Sequence, residues 1–373
     1  MTGSYPTVHA DRQNSGYVSD RLGGQRTRET FDTIWSFDTD GELRASPVVS
    51  DELVVLGDMD GTVYGLDAID GREHWRTELD VPSVFAAPAI ADGTVFVSGF
   101  DDLNRTESTT SALDLSTGDV QWTRDFGQGG RTAVATDGER VYVPTYDGVC
   151  RALSVETGET VWRLTGERHK KTPALGEGLV VLGDGEDVVA LDAECGTEQW
   201  RTALNGHVQT PAVVDDGRAY LITRSERQWC LDATSGEILW QIDIGETIRE
   251  HPDSTDPLIP LGGGLLDSKP VTDGESLFVG VYEGIVELDA VDGRLVGYHP
   301  LDQRVTAPLV IGADGDRRVY GSVSNNGLIE YHLASNTAVQ RRSTTVERLN
   351  TVPAYADGVF YVTTDVDGIF AVT

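Results

Sequence analysis

Lysine is nearly missing from this chain. Among 373 residues only Lys170, Lys171 and Lys269 are lysines, and 61 acidic residues stand against 29 basic ones, a formal net charge of −32. A surface of that sign repels nucleic acid and anionic membranes, so neither is expected as a partner. Cysteine is equally scarce: Cys150, Cys195 and Cys230 are an odd number with no close spacing, which excludes a disulfide framework and a zinc site. No stretch approaches the ~18 unbroken apolar residues of a membrane helix. The opening residues Met1 to Asp20 lack an apolar segment with a cleavage pattern, so no signal peptide is expected. The expected compartment is the cytoplasm, or an extracytoplasmic one if a precursor segment has been removed. Helical periodicity is absent throughout. The histidines show no metal spacing, and no complete calcium loop is present. No metal site and no catalytic residue is therefore assigned.

The acidity is spread among regular apolar strands and is not a disordered tail. Dense carboxylates with little lysine predict a halophile's protein, because high salt screens the self-repulsion.

What the chain does have is a repeat. Leu66-Asp67-Ala68-Ile69-Asp70-Gly71 leads to Trp75, and the pattern returns from Leu113 to Trp122, Leu153 to Trp162, Leu191 to Trp200 and Leu231 to Trp240. In each copy the Gly falls five residues after the Leu and the Trp nine after it. A fixed interval of this kind means an array of small units. Each unit shows four strand signals separated by turns such as Asp58-Met59-Asp60-Gly61 and Asp70-Gly71. Gly183 to Asp187 and Asp365 to Gly368 read as hairpin turns of the same kind. Gly71, Gly118, Gly158, Gly196, Gly236 and Gly293 are expected to supply a positive φ in the turn. Trp35, Trp75, Trp122, Trp162, Trp200 and Trp240 are expected to pack between adjacent units, each with an acceptor for its indole N–H. The proline opening the first strand (Pro47, Pro88, Pro173, Pro211, Pro270, Pro308, Pro353) marks an edge strand on a central axis. Units six and seven are degenerate: Gly297 and Gln340 stand where Trp belongs, and Asn336 where Gly belongs.

The last unit lacks a fourth strand, while the chain opens on a lone fourth strand around Trp35. Pairing the two leaves no open end. The expected fold is all-β: an eight-bladed β-propeller of four-stranded antiparallel blades, closed by the N-terminal strand completing the last blade. Residues 1–30 form an irregular lead-in or plug, and 31–373 a single domain.

The segment Ala112 to Trp122, and its copy from Ala152 to Trp162 with Ser154 replacing Asp, resembles the pyrroloquinoline-quinone (PQQ) repeat with its tryptophan-docking turn. The resemblance covers about residues 32–373 and suggests a haloarchaeal-type acidic member. Two branches of that family imply different chemistry. Quinoprotein dehydrogenases bind PQQ and calcium on the propeller axis, usually with an adjacent Cys-Cys pair, a tryptophan floor, an Asp base and a Glu/Asn calcium set. The other branch, similar to the lipoprotein of the bacterial outer-membrane assembly machinery, keeps the repeat and binds proteins instead. No Cys-Cys pair occurs here, Trp229 is the one Trp outside the docking position, and no calcium set can be assigned. The expectation is a non-catalytic, monomeric scaffold without cofactor; the alternative is a PQQ-dependent oxidoreductase.

Function is expected where the repeat varies. The loops entering the first strands and those joining second to third strands share one face by strand alternation. That face carries the expanded loop Asp101 to Ser108 and the insertion from Glu246 to Leu265. All three lysines precede an axial Pro there, with Arg44 and Arg131 at comparable places and His169 and His207 close by. Arg44, Arg131, His169, Lys170, Lys171, His207 and Lys269 are thus candidates for holding a protein partner or an anionic small molecule. The competing reading is that these cations only offset packed carboxylates.

Overall fold

The computed structural model describes residues 11, 17–18, 32–50, 52–100, 108–127, 132–145, 147–167, 171–249, 269–281, 284–301, 310–312, 318–323, 327–333, 337–342, 351–364 and 368–373. They form a propeller-like all-β fold of eight sheets, seven of four strands and one of five. Sheet 1 consists of Val48–Ser50, Leu53–Gly57, Thr62–Asp67 and Glu73–Glu78, paired antiparallel in chain order. Sheets 2 to 7 repeat that order over residues 89–126, 135–165, 174–203, 213–243, 271–300 and 310–342. Sheet 8 takes three strands from 354–372 and its fourth from Thr33–Phe37, which lies antiparallel to Gly368–Val372 with Trp35 opposite Ala371. Beyond that ladder, Asp32 and Thr373 exchange both backbone hydrogen bonds, at 3.3 and 3.1 Å. Tyr17–Val18 adds a parallel fifth strand beside Val310–Gly312.

The burial pattern explains the strand chemistry. Leu53–Gly57 is buried on both faces, whereas Glu73–Glu78 buries little besides Trp75. The second and third strands are sandwiched between neighbouring sheets and so are mainly apolar; the fourth is an outer edge and can be charged. The first strands are the inner edges. Val48–Ser50 touches Ala89–Ala91 on one side and Ala354–Ala356 on the other. The Pro residues 47, 88, 173, 270 and 353 sit immediately ahead of these edge strands, where a missing N–H costs nothing. The core lies between sheets. Separate apolar clusters join sheets 1 and 2, 2 and 3, 3 and 4, 4 and 5, 5 and 6, and 6 and 7, and another joins 8 to 1.

Six tryptophans link a sheet to the next. Just before each Trp the fourth strand carries a bulge, as between Gly65–Trp75 and Leu66–Glu73. The extra residue twists the strand and re-aims the indole. Trp75 then lies on Gly118, where a Cβ would fall 2.6 Å from its Cε3. Its N–H donates to the Leu115 carbonyl at 2.8 Å. Trp35, Trp122, Trp162, Trp200 and Trp240 do the same on Gly71, Gly158, Gly196, Gly236 and Gly293. Their acceptors are the carbonyls of Ala68, Val155, Ala193, Ala233 and Ala290. All six glycines have φ between 69° and 76°. The turn needs the left-handed conformation and the ring needs the space, and only Gly meets both. At two seams a second-strand tyrosine (Tyr361, Tyr220) donates to the same carbonyl, which has two lone pairs to offer, while Tyr142 donates to Asp137 Oδ2 at 2.6 Å.

Where Trp is missing the seam turns polar. Between sheets 6 and 7, His299 stands beside Gly297: Nε2 lies 3.2 Å from Glu287 Oε2, and Nδ1 2.9 Å from the Tyr331 hydroxyl. Ser276 donates to the other Glu287 oxygen at 2.9 Å. All four side chains are buried. In sheet 7, buried Arg318 and half-buried His332 both meet Glu330 at 2.9 Å.

The expectation of no helix is corrected by one short helix, Ile244–Arg249, after the fourth strand of sheet 5. Asp243 caps it by accepting from the Glu246 N–H at 2.9 Å, and Ile244 and Ile248 are buried. Six residues are too few to show a helical period in sequence. No helix among the described residues is long and apolar enough to cross a membrane.

Candidate functional site

The loops that enter the first strands rest on the turns joining second to third strands. Met59 N–H donates to Glu42 O at 2.9 Å, Val84 N–H to Asp58 O at 2.8 Å, Val208 N–H to Gly185 O at 2.9 Å and Arg224 N–H to His207 O at 2.8 Å. Buried carboxylates fasten these junctions from below. Asp58 accepts from Gly41, Asp60 and Thr62 N–H groups and from the Tyr64 hydroxyl. Asp184 accepts from the Glu167 N–H at 2.6 Å and meets Arg201 at 2.7 Å. Residues that read as turn formers thus also hold the loop entering their own sheet.

Between sheets 4 and 5 the rim of these loops opens into a cleft of about 530 Å³. Glu167 and Lys171 come from the loop entering sheet 4, Gly183 and Gly185 from its second-to-third turn, His207, Val208 and Gln209 from the loop entering sheet 5, and Arg224 from that sheet's turn. Two glycines keep its wall open. A Cβ on Gly183 would lie 2.7 Å from Val208 Cγ1, and one on Gly185 2.7 Å from Glu167 Oε2. Arg224 Nε donates to Gln209 Oε1 at 3.3 Å, and His207 Nε2 lies 3.8 Å from Glu186.

The structure brings Lys171 and His207 together in this cleft. Arg44 is exposed on the sheet 1 loop, 3.0 Å from Glu42, and does not line the cleft. Arg131, His169 and Lys170 lie outside the described residues, as do the loop at 101–107 and the insertion over 250–265. Lys269 is 2% exposed, buried where a mouth cation was expected. Burial pushes its ammonium down to about 7, with Asp11 opposing the shift. Arg224 was missed. The signal was present, because Thr223-Arg224-Ser225-Glu226 stands where other units place Asp and Gly in that turn.

The described residues do not present the tryptophan floor or the cysteine pair of the dehydrogenase branch. Trp229 is 2% exposed within the apolar cluster joining sheets 4 and 5, with its N–H on Thr223 Oγ1 at 3.2 Å, so its ring faces offer no floor to a ligand. Cys150 and Cys230 are buried in the cores of different sheets, and Cys195 is exposed in a turn. Among the described residues no group of three or more His, Cys, Asp or Glu is placed to hold a metal ion.

Compared with known proteins, the chain matches the family described as outer membrane protein assembly factor BamB over residues 27–123, 103–183 and 164–373. It is 28% identical over 306 residues to the protein of that name from Yersinia pestis, covering 69% of this chain and 77% of that one. Against several other relatives of that name the match spans about half of each protein's length. The structure resembles BamB from Moraxella catarrhalis with a TM-score of 0.61 at 17% identity, covering 91% of this chain and 85% of that one. It also resembles the quinohemoprotein alcohol dehydrogenase from Comamonas testosteroni, with a TM-score of 0.74 at 15% identity, covering 99% and 80%. At such identities these two likenesses speak for the fold alone.

Proposed function

The chain belongs to the family described as outer membrane protein assembly factor BamB, and on that premise we propose that it is a non-catalytic scaffold that binds a protein partner through its loop-bearing face. We take the eight sheets as blades of one closed ring spanning 31–373, with 1–30 a lead-in. The pairing of Thr33–Phe37 with Gly368–Val372 and the apolar cluster joining sheets 8 and 1 support that reading. One observation carries the functional part. The repeat's Trp and Gly residues are engaged in joining sheets and its Asp residues in bracing their own turns, while the rim between sheets 4 and 5 departs from the repeat and opens a cleft. The net charge of −32 supports a monomer and a habitat of high salt, archaeal in kind. The family's role with outer-membrane proteins favours an extracytoplasmic place over the cytoplasmic one expected from residues 1–20.

A photo-crosslinker at Asp60 or Ser225, both exposed on this face, tests the reading in cells of the source organism. A discrete protein adduct from these positions, missing from a crosslinker at Val161 on the outer edge of sheet 3, is the expected result. Equal labelling at all three positions would contradict it. The second reading, a PQQ-dependent oxidoreductase, draws on the fold shared with the Comamonas dehydrogenase. Saturable PQQ binding with a quinone absorption change would favour it, and Trp229 would have to move out of its core to stack on the ring.

A further inference from the structure

We propose that the cleft between sheets 4 and 5 is a carboxylate site, in which Lys171, Arg224 and His207 hold the acidic side chains of a partner segment or a free dicarboxylate. The proposal rests on the scaffold reading for its biological partner, but its chemistry stands on the cleft.

Several arginines in this chain pair with carboxylates. Arg76 meets Asp40 and Glu73, Arg201 meets Asp184, Asp187 and Glu198, and Arg140 meets Asp137 and Glu139. Other arginines have neutral partners instead, among them Arg124, Arg151, Arg227 and Arg249. Arg224 is of this second kind and, unlike those four, lines a cleft. Its side chain donates through Nε to the neutral Gln209 carbonyl, which fixes the guanidinium plane. The two terminal amino groups, the fork that a carboxylate takes in bidentate fashion, have no carboxylate acceptor among the described residues. Lys171 adds a compact ammonium to the same cleft, and His207 a third donor. Among the described residues Glu167 is the one carboxylate lining it, with Glu186 standing 3.8 Å from His207. A cleft of about 530 Å³ is of the size that admits a small ligand or the side chains of a peptide. Gly183 and Gly185 supply a wall without side chains, so an incoming carboxylate can approach closely.

The surrounding charge gives the site a salt signature. At about 0.05 M salt the repulsion of a chain at −32 reaches well beyond the cleft and opposes any anion. At about 1 M the screening length is ~3 Å, which removes that repulsion but leaves groups in direct contact interacting. Carboxylate affinity therefore rises with KCl over this range, opposite to ordinary anion binding by a basic surface patch.

The test is calorimetric titration of the full chain with glutarate and, separately, with a hexaglutamate peptide, using a hexaglutamine peptide as control. Saturable binding of either carboxylate probe is expected, strengthened by KCl and weakened at least about tenfold by Lys171→Glu or Arg224→Glu. Arg72→Glu, an exposed change on the sheet 1 turn, leaves it unaltered. Circular dichroism checks that each variant is folded. Tighter binding of the peptide identifies a protein segment as the source, and tighter binding of glutarate a free dicarboxylate. No saturable binding, or binding unchanged in the Lys171→Glu/Arg224→Glu double variant, overturns the proposal. If that double variant still yields the adducts at Asp60 and Ser225, the scaffold reading survives while the carboxylate site falls.

Discussion

Replacing Gly236 by Ala isolates the contact on which the whole array rests. Its φ is 73°, and a Cβ there would lie 2.5 Å from Trp200 Cε3, 2.6 Å from Cδ2 and 2.8 Å from Thr202 Oγ1. Gly217 of the same sheet is the matched control: its φ is 72°, with nothing within 4 Å of a Cβ. Both substitutions incur the left-handed penalty of about 1–2 kcal/mol, reduced by the loss of unfolded-chain entropy. Gly217→Ala should therefore cost about 1 kcal/mol or less. Gly236→Ala must also push the indole back, an overpacking cost of about 1–3 kcal/mol. That displacement strains the 2.9 Å bond from Trp200 to the Ala233 carbonyl, worth about 1 kcal/mol. The difference between the two variants should be about 2–4 kcal/mol. Urea unfolding followed by tryptophan fluorescence in molar KCl measures it directly. Equal destabilisation by the two alanines would refute the docking account and leave backbone strain as the sole cause.

Other consequences are open to simpler tests. Trp162→Phe removes the donor to the Ala193 carbonyl at 2.9 Å and should lower the unfolding free energy by about 1–2 kcal/mol; an unchanged urea midpoint would count against that bond. His299→Phe leaves buried Glu287 without its ring partner and should cost about 2–3 kcal/mol, with His299→Gln milder; equal losses would mean that the polar link is dispensable. The carboxylates of Asp114 and Asp232 are held below their usual range by the Ser116 and Thr234 hydroxyls first and by turn N–H groups, and those of Asp192 and Asp289 by the N–H groups of Cys195 and Val291. A folded value below the unfolded one gives stability that is present above about pH 4 and lost as the pH falls through the folded value. Unfolding in molar KCl should show that acid slope, diminished in Asp232→Asn; an identical slope in the variant would contradict it. Thermal midpoints should rise between about 0.1 and 2 M KCl as repulsion is screened, and a flat or falling trend would contradict the high-salt reading.

The repeat residues were legible in the sequence because one physical demand recurs at a fixed spacing. A left-handed turn that must also receive a ring admits only Gly, and the Trp that fills it stands out at each copy. The acceptor for each indole was not legible, since it belongs to the following sheet and only packing of sheets reveals it. Lys269 looked like a mouth cation because position in a loop says nothing about depth. His299 read as an isolated histidine, since Glu287 and Tyr331 are brought to it by pairing across a strand and across a seam. Lys171 and His207 were found through charge sign alone. Arg224 stands out in the sequence only as a departure from the Asp and Gly of the other turns, and only the packing of loops brings it beside Lys171 and His207.

The meeting of the chain's two end strands can be tested with a single covalent bond. Asp32 and Thr373 exchange both backbone hydrogen bonds, which places their Cα atoms about 5.5 Å apart, within reach of a disulfide. The variant Asp32→Cys/Thr373→Cys, oxidised under native conditions, should form an intramolecular link between these positions, identified by mass spectrometry. The closed loop would span nearly the whole chain and should raise the unfolding free energy by about 4 kcal/mol or more relative to the reduced form. Failure of the link to form within the folded monomer would contradict a ring in which Thr33–Phe37 completes the last sheet.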